Sequence, residues 1–199
     1  MSRYEHDFQT MFADLEKQIA QIDNPRRRAI LKNYRRHALL EVSGRYEELL
    51  SPDMTVEHPH YRIHEGGTST ILDGMAEVKA FYQSLVEANA VVMWVNNQNI
   101  SVNDTGFSGE LEFFEFVPEA MLGGETVFGS VQSGAPGEVY LLKRTLAFHW
   151  PYDERCRLIG EHVYEDIASR EITKPDPADV ISPARAAELL APEIDKVLP

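Results

Sequence analysis

The chain changes character near Ala88, and that change limits its fold more than any other feature. Before it, apolar residues recur at spacings of three and four. After it come four runs of strand length, 91–102, 106–117, 139–150 and 158–166, rich in Val, Phe, Leu and Trp and bounded by Asn-Asp, Gly or Asp-Glu turns. Pro151 to Cys156 is a hairpin-length link between the last two. Helices first and strands afterwards predict an α+β fold with an antiparallel sheet, since a parallel sheet would need helices between its strands.

Residues 4–22 carry Phe8, Met11, Phe12, Leu15, Ile19 and Ile22, one helical stripe on an otherwise charged segment. Asn24 is placed to cap a second helix with Pro25 at its first position. That helix runs to about Val42, with Ile30, Tyr34, His37, Ala38 and Glu41 along one side and Leu31, Leu39 and Val42 on a neighbouring stripe. Ser43-Gly44 ends it. The stretch 54–82 reads as a short polar strand, a Gly-bearing connection and a helix opened by Asp73-Gly74. Val56, His58 and His60 share one face of that strand by its period of two, and Pro59 puts the strand at an edge or ends it at His58. The helix then shows Met75, Val78, Phe81, Tyr82 and Leu85. Three segments result: 1–24 as an N-terminal amphipathic appendage, 25–167 as the main domain, and 168–199 as a tail with a short helix capped by Ser182-Pro183 and broken at Pro192. A Gly-rich insertion at 118–138 reads as a long loop, a small extra hairpin or a lid.

With 43% hydrophobic residues the chain has enough for a core, which excludes wholesale disorder. Its net charge of −13 repels a phosphate backbone or an anionic membrane, so neither nucleic acid nor membrane is expected as a partner. Arg26-Arg27-Arg28 against that total reads as a solvated helix turn. A single cysteine, Cys156, and the lack of a signal-peptide core or an 18-residue apolar run lead to an expected cytoplasmic setting.

Several chemistries are unsupported. No phosphate loop, CxxC or HExxH is present, and Gly106-Phe107-Ser108-Gly109 is one residue short of a nucleophile elbow. His58, a titratable side chain held just before a proline and backed by a helix, marks where a small-molecule site could begin. Tyr34 can bury its ring and still offer a hydroxyl to an interior cavity. An alternative uses His58 and His60 as a metal pair, with a third ligand from Glu161, His37 or His64. A non-catalytic binding or assembly module is the remaining alternative.

Three groups of residues together resemble the nuclear transport factor 2-like superfamily, in its SnoaL-like and ketosteroid-isomerase branches. The first is the helix with Tyr34 followed by Ser43-Gly44-Arg45-Tyr46-Glu47-Glu48-Leu49-Leu50-Ser51-Pro52-Asp53. The second is Thr55-Val56-Glu57-His58-Pro59, then Leu72-Asp73-Gly74 and Val78-Lys79-Ala80-Phe81-Tyr82. The third is Tyr152-Asp153-Glu154 with Arg157-Leu158-Ile159-Gly160-Glu161-His162-Val163-Tyr164. The resemblance covers about 28–167 and implies a cone-shaped α+β barrel, helices packed on a strongly bent antiparallel sheet, and a homodimer. It implies His58 as the base, where the isomerases carry a carboxylate, and Tyr34 as the oxyanion donor. The second donor position falls on Phe148, which cannot donate, so the steroid reaction itself is not implied. Leu146, Phe148, Trp150 and Val163, with Phe81, become substrate-binding walls beside Arg144 and Ile159, and Glu161 becomes a buried acid. His149 and His162 then face the outer, dimer-forming side. The function expected is cofactor-free, metal-free acid/base isomerisation, cyclisation or dehydration, with epoxide hydrolysis as a further member of the set, on a small hydrophobic, polyketide- or steroid-like molecule.

Overall fold

The side chain of Asn24 accepts hydrogen bonds from the backbone N–H groups of Arg26 and Arg27 at 3.0 and 3.1 Å, and with Pro25 it starts the helix around which the molecule is built. The computed structural model describes residues 2–122 and 137–198. Its helices are α1 (Glu5–Thr10), α2 (Ala13–Gln21), α3 (Pro25–Val42), α4 (Tyr46–Leu49), α5 (Met75–Glu87) and α6 (Pro183–Ile194). Its strands are β1 (His60–Glu65), β2 (Thr68–Asp73), β3 (Met93–Asn103), β4 (Gly106–Pro118), β5 (Val139–Pro151) and β6 (His162–Thr173). The expected loop, hairpin or lid falls mainly on 123–136, outside the described residues.

The strands form one sheet in the order β2-β1-β6-β5-β4-β3. It is antiparallel with one exception: β1 runs parallel to β6. This corrects the wholly antiparallel expectation. β1 and β6 are far apart in sequence, so no hairpin dictates their relative direction, and the β1–β2 hairpin docks on the edge of β6 that β5 leaves free. Register breaks between Asn96 and Asn99 in β3, and between Lys143 and Thr145 in β5, supply the bulges that bend a sheet. Alternation along β5 buries Arg144, Leu146, Phe148 and Trp150 toward the helices, as the resemblance implies.

Two boundaries differ from expectation. The strand starts at His60, after Pro59 rather than before it, because the proline has no N–H for the ladder. The Gly-bearing connection is a tight hairpin turn in which Gly66 and Gly67 both have positive φ, and β2 follows it. The stripe at 4–22 is split into α1 and α2, yet Phe8, Met11, Phe12, Leu15 and Ile19 enter the common core. In the tail, α6 continues through Pro192 to Ile194 and packs on α3 and α1. Arg26, expected on a solvated helix turn, instead donates from its guanidinium to the backbone oxygens of Asp104, Asp153 and Glu154 and fastens α3 to two sheet turns. No helix among the described residues is long and apolar enough to cross a membrane.

Candidate active site

Helix α3 brings its mixed stripe against the concave side of the sheet. Tyr34, Ala38, Glu41 and Val42 line a cavity of about 160 Å³, and His37 sits fully buried behind them. The opposite wall comes from β4, β5 and β6, and α5 adds Phe81 and Leu85. Met11 and Phe12 close the helical side, so the segment expected as an appendage helps to build the cavity.

The polar centre is a carboxylate on the chain just before β6. Tyr82 donates its hydroxyl to Glu161 Oε1 at 2.6 Å, and His37 Nε2 lies 2.9 Å from the same oxygen. The hydroxyl of Tyr61 is 3.3 Å from that of Tyr82, and His37 Nε2 is 3.0 Å from it. Placing the imidazole proton on Nε2 serves these acceptors; His37 Nδ1 is buried without a partner. Glu41 Oε2 lies 4.0 Å from His37 Nε2, so two carboxyl groups flank one ring nitrogen. Burial, and then the nearby charges of Glu161, Glu65 and Glu115, hold the Glu41 proton on to well above the ordinary carboxylate range. Burial also pushes the phenols of Tyr34, Tyr61 and Tyr82 up, Glu161 adding to each shift, so these hydroxyls remain donors.

A second polar station lies along β5. Arg144 Nη2 is 2.8 Å from Glu65 Oε2 and 3.1 Å from Glu115 Oε2, with its guanidinium 5.0 Å from the Phe113 ring centroid. Burial raises the pKa of Glu65 and of Glu115, partly offset by Arg144.

The structure collects seven of the eight expected site residues on this cavity: Tyr34, Glu161, Phe148, Trp150, Leu146, Val163 and Phe81. Ile159, expected beside them, is not in its wall. His58 is the exception. It lies outside the strand, its side chain is 73% exposed, and its Nε2 is 2.9 Å from Asp73 Oδ1. Its ring covers Gly74, whose φ of +97° and missing side chain leave the room: a Cβ there would sit 3.0 Å from His58 Cε1. The period-of-two argument fails because residues 56–59 are not strand. His58, expected as the base, is therefore not in the cavity.

Tyr34 reaches the cavity with its ring, but its hydroxyl donates to Gln98 Oε1 at 3.0 Å, and Gln98 in turn donates to the Met11 carbonyl. The proposed metal pair meets on Asp73, with His60 Nδ1 at 3.2 Å and Arg62 Nε donating to His60 Nε2, away from Glu161 and His37 inside. His64 stacks on Tyr164. Among the described residues no group of three or more His, Cys, Asp or Glu is disposed to hold a metal ion. His149 and His162 pair across the outer face, ring centroids 5.7 Å apart, with Ser108 Oγ 2.8 Å from His149 Nδ1.

Glu41, Tyr61 and Tyr82 were not marked as site residues by the sequence, and His37 was marked only as a candidate third metal ligand. A signal was present in α3, where Tyr34, His37 and Glu41 share one stripe with core residues. Three titratable groups on a buried helix face need partners. Tyr61 and Tyr82 gave none, since a tyrosine at a core spacing reads as core.

Helices packed on a six-stranded mixed sheet around this cavity make an α+β fold, and that fold is shared with solved structures assigned as SnoaL-like. A protein from Jannaschia sp. CCS1 assigned as a SnoaL-like polyketide cyclase superposes with a TM-score of 0.54 at 10% identity, over 74% of this chain and 92% of its own. A protein from Xanthomonas campestris pv. campestris assigned as a polyketide cyclase gives 0.50 at 13% identity, over 72% and 98%. No family model matches the chain, and no curated protein does.

Proposed function

We propose that the cavity carries out cofactor-free acid/base chemistry at a carbonyl compound, with Glu161 as base and Glu41 as acid. The observation that carries this is the placement of two carboxyl groups on either side of His37 Nε2, unequally equipped. Glu161 receives donors from Tyr82 and His37 on Oε1, which leaves Oε2 for a substrate proton. Among the described residues Glu41 has no hydrogen-bond donor of its own, and burial holds its proton on. A carboxylate and a carboxylic acid in one cavity divide base and acid roles by environment. Glu161 takes a proton from the carbon next to the carbonyl; the C–H pair becomes the new C=C bond; the carbonyl oxygen takes the proton of Glu41. The enol so formed leads to isomerisation, cyclisation or dehydration, depending on where it next reacts. Tyr34 serves as an aromatic wall, its hydroxyl being committed to Gln98.

The test is exchange of the α-protons of cyclohexanone in D₂O, followed by NMR. The protein accelerates it, Glu161→Gln lowers the protein-dependent rate by roughly 10²-fold or more, and Glu41→Gln lowers it by a comparable factor. His58→Ala leaves it unchanged. Equal rates in the Glu161 variant and the native protein would discard the assignment.

The homodimer belongs to the same reading. The outer sheet face presents Tyr164, 44% exposed, beside His149 and His162, and is proposed to pair with a second copy. Sedimentation at micromolar concentration is expected to give twice the 22.6 kDa chain mass; the chain mass alone would remove the dimer.

A further inference from the structure

We infer that the cavity selects an uncharged ligand of single-ring size, with one oxygen at the Glu41–Glu161 end and hydrocarbon elsewhere. The position of the oxygen rests on the acid/base reading above; size and charge do not. At about 160 Å³ the space is close to the roughly 150 Å³ cavity that admits benzene, and well below the roughly 300–1,000 Å³ of sites for drug-sized molecules. A steroid or fused polycycle would leave most of its rings outside. This narrows the ligand class expected from the sequence.

Charge is limited by partners already committed. Among the described residues the lining holds Glu41, Glu65, Glu115 and Glu161 against one cation, Arg144. Arg144 Nη2 is shared by Glu65 and Glu115, and its Nε is buried without a partner and closed to the cavity. A ligand carboxylate would therefore enter among four carboxyl groups and face one cation whose charge Glu65 and Glu115 already share. An ammonium fares little better: Glu65 and Glu115 already serve Arg144, Glu41 keeps its proton, and Glu161 Oε2 alone cannot replace the water lost by three N–H donors. Either charge would leave water for walls such as Phe81, Leu85, Leu111 and Phe148. A neutral ring buries its apolar face there, and its carbonyl oxygen accepts from the one protonated carboxyl, Glu41.

The chain's two tryptophans, Trp94 and Trp150, both line the cavity, so their fluorescence reports on it directly. Cyclohexanone, cyclohexylamine, cyclohexanecarboxylate and 2-decalone are titrated against the native protein at neutral pH. Cyclohexanone is expected to give a saturable change, with the amine, the carboxylate and the two-ring ketone each weaker by roughly tenfold or more. Equal or tighter binding of any of these three overturns the inference, as does no saturable change with cyclohexanone. Ala38→Leu fills the ring site and is expected to abolish the response. If that variant loses its melting transition, Leu85→Phe replaces it; a response that survives filling places the ring elsewhere and overturns the assignment. Selective binding without α-proton exchange retains this inference and rejects the acid/base reading; exchange with unselective binding does the reverse.

Discussion

Glu41 shows what burial does to a single residue. Its carboxyl has 15% of its side chain open to the cavity and no cation beside it, so its folded-state pKa is raised well above 4.5. The native state therefore binds the proton more tightly than the unfolded chain does. The stability tied to that proton is complete below about pH 4.5 and is lost as pH rises through the folded value. Glu41→Gln cannot ionise. Its melting temperature should match the native protein near pH 4.5 and exceed it increasingly toward alkaline pH. Parallel curves of Tm against pH for the two proteins would contradict the raised value. His58 makes the opposite case: exposed and bound to Asp73, it lowers the Asp73 pKa together with His60, and acts at the surface.

Glu161 owes its position to the way two elements meet. The residue before it, Gly160, lies so close to β1 that a Cβ would stand 1.8 Å from the His60 carbonyl oxygen. Backbone bonds from His60 N–H to Ile159 O and from Arg62 N–H to Glu161 O hold this approach, where the chain enters the parallel β1–β6 junction. Gly160→Ala must push the two strands apart. The expected cost is roughly 1–3 kcal/mol, read as a fall in Tm of several degrees, with loss of exchange activity because Glu161 moves with the strand. An unaltered Tm and activity would show that the contact opens freely. Pro59 governs the same region from the other side: by delaying β1 to His60 it leaves His58 outside the sheet and turns it toward Asp73.

At the scale of the molecule, helices from both ends of the chain are joined by a buried cation. Arg35, 3% exposed, donates from Nε to Glu16 Oε1 at 2.7 Å, and from Nη1 and Nη2 to the backbone oxygen and Oε2 of Glu193, fastening α2 and α6 to α3. Arg35→Met leaves both carboxylates to Lys196 alone, whose Nζ lies 2.6 Å from Glu16 Oε2 and 3.4 Å from Glu193 Oε2. Because Glu193 is about a third exposed, the loss should be on the order of 2 kcal/mol, below the roughly 3–5 of a fully buried pair, and urea unfolding would measure it. No change in the midpoint would mean that α6 is held by its apolar face alone. What the sequence by itself determined was local: the Asn24-Pro25 start of α3, the apolar stripe of Phe8, Met11, Phe12, Leu15 and Ile19, and the order of helices before strands. Each follows from a period or a cap within a few residues. Only the tertiary structure decided which groups meet in the cavity. Glu41 and His37 come from α3, Tyr82 from α5, and Glu161 from the approach to β6. Their distances depend on how a bent sheet closes over a helix, and no period within one segment records that. For the same reason the parallel junction, and the removal of His58 from the site, could be seen only once β1 had met β6.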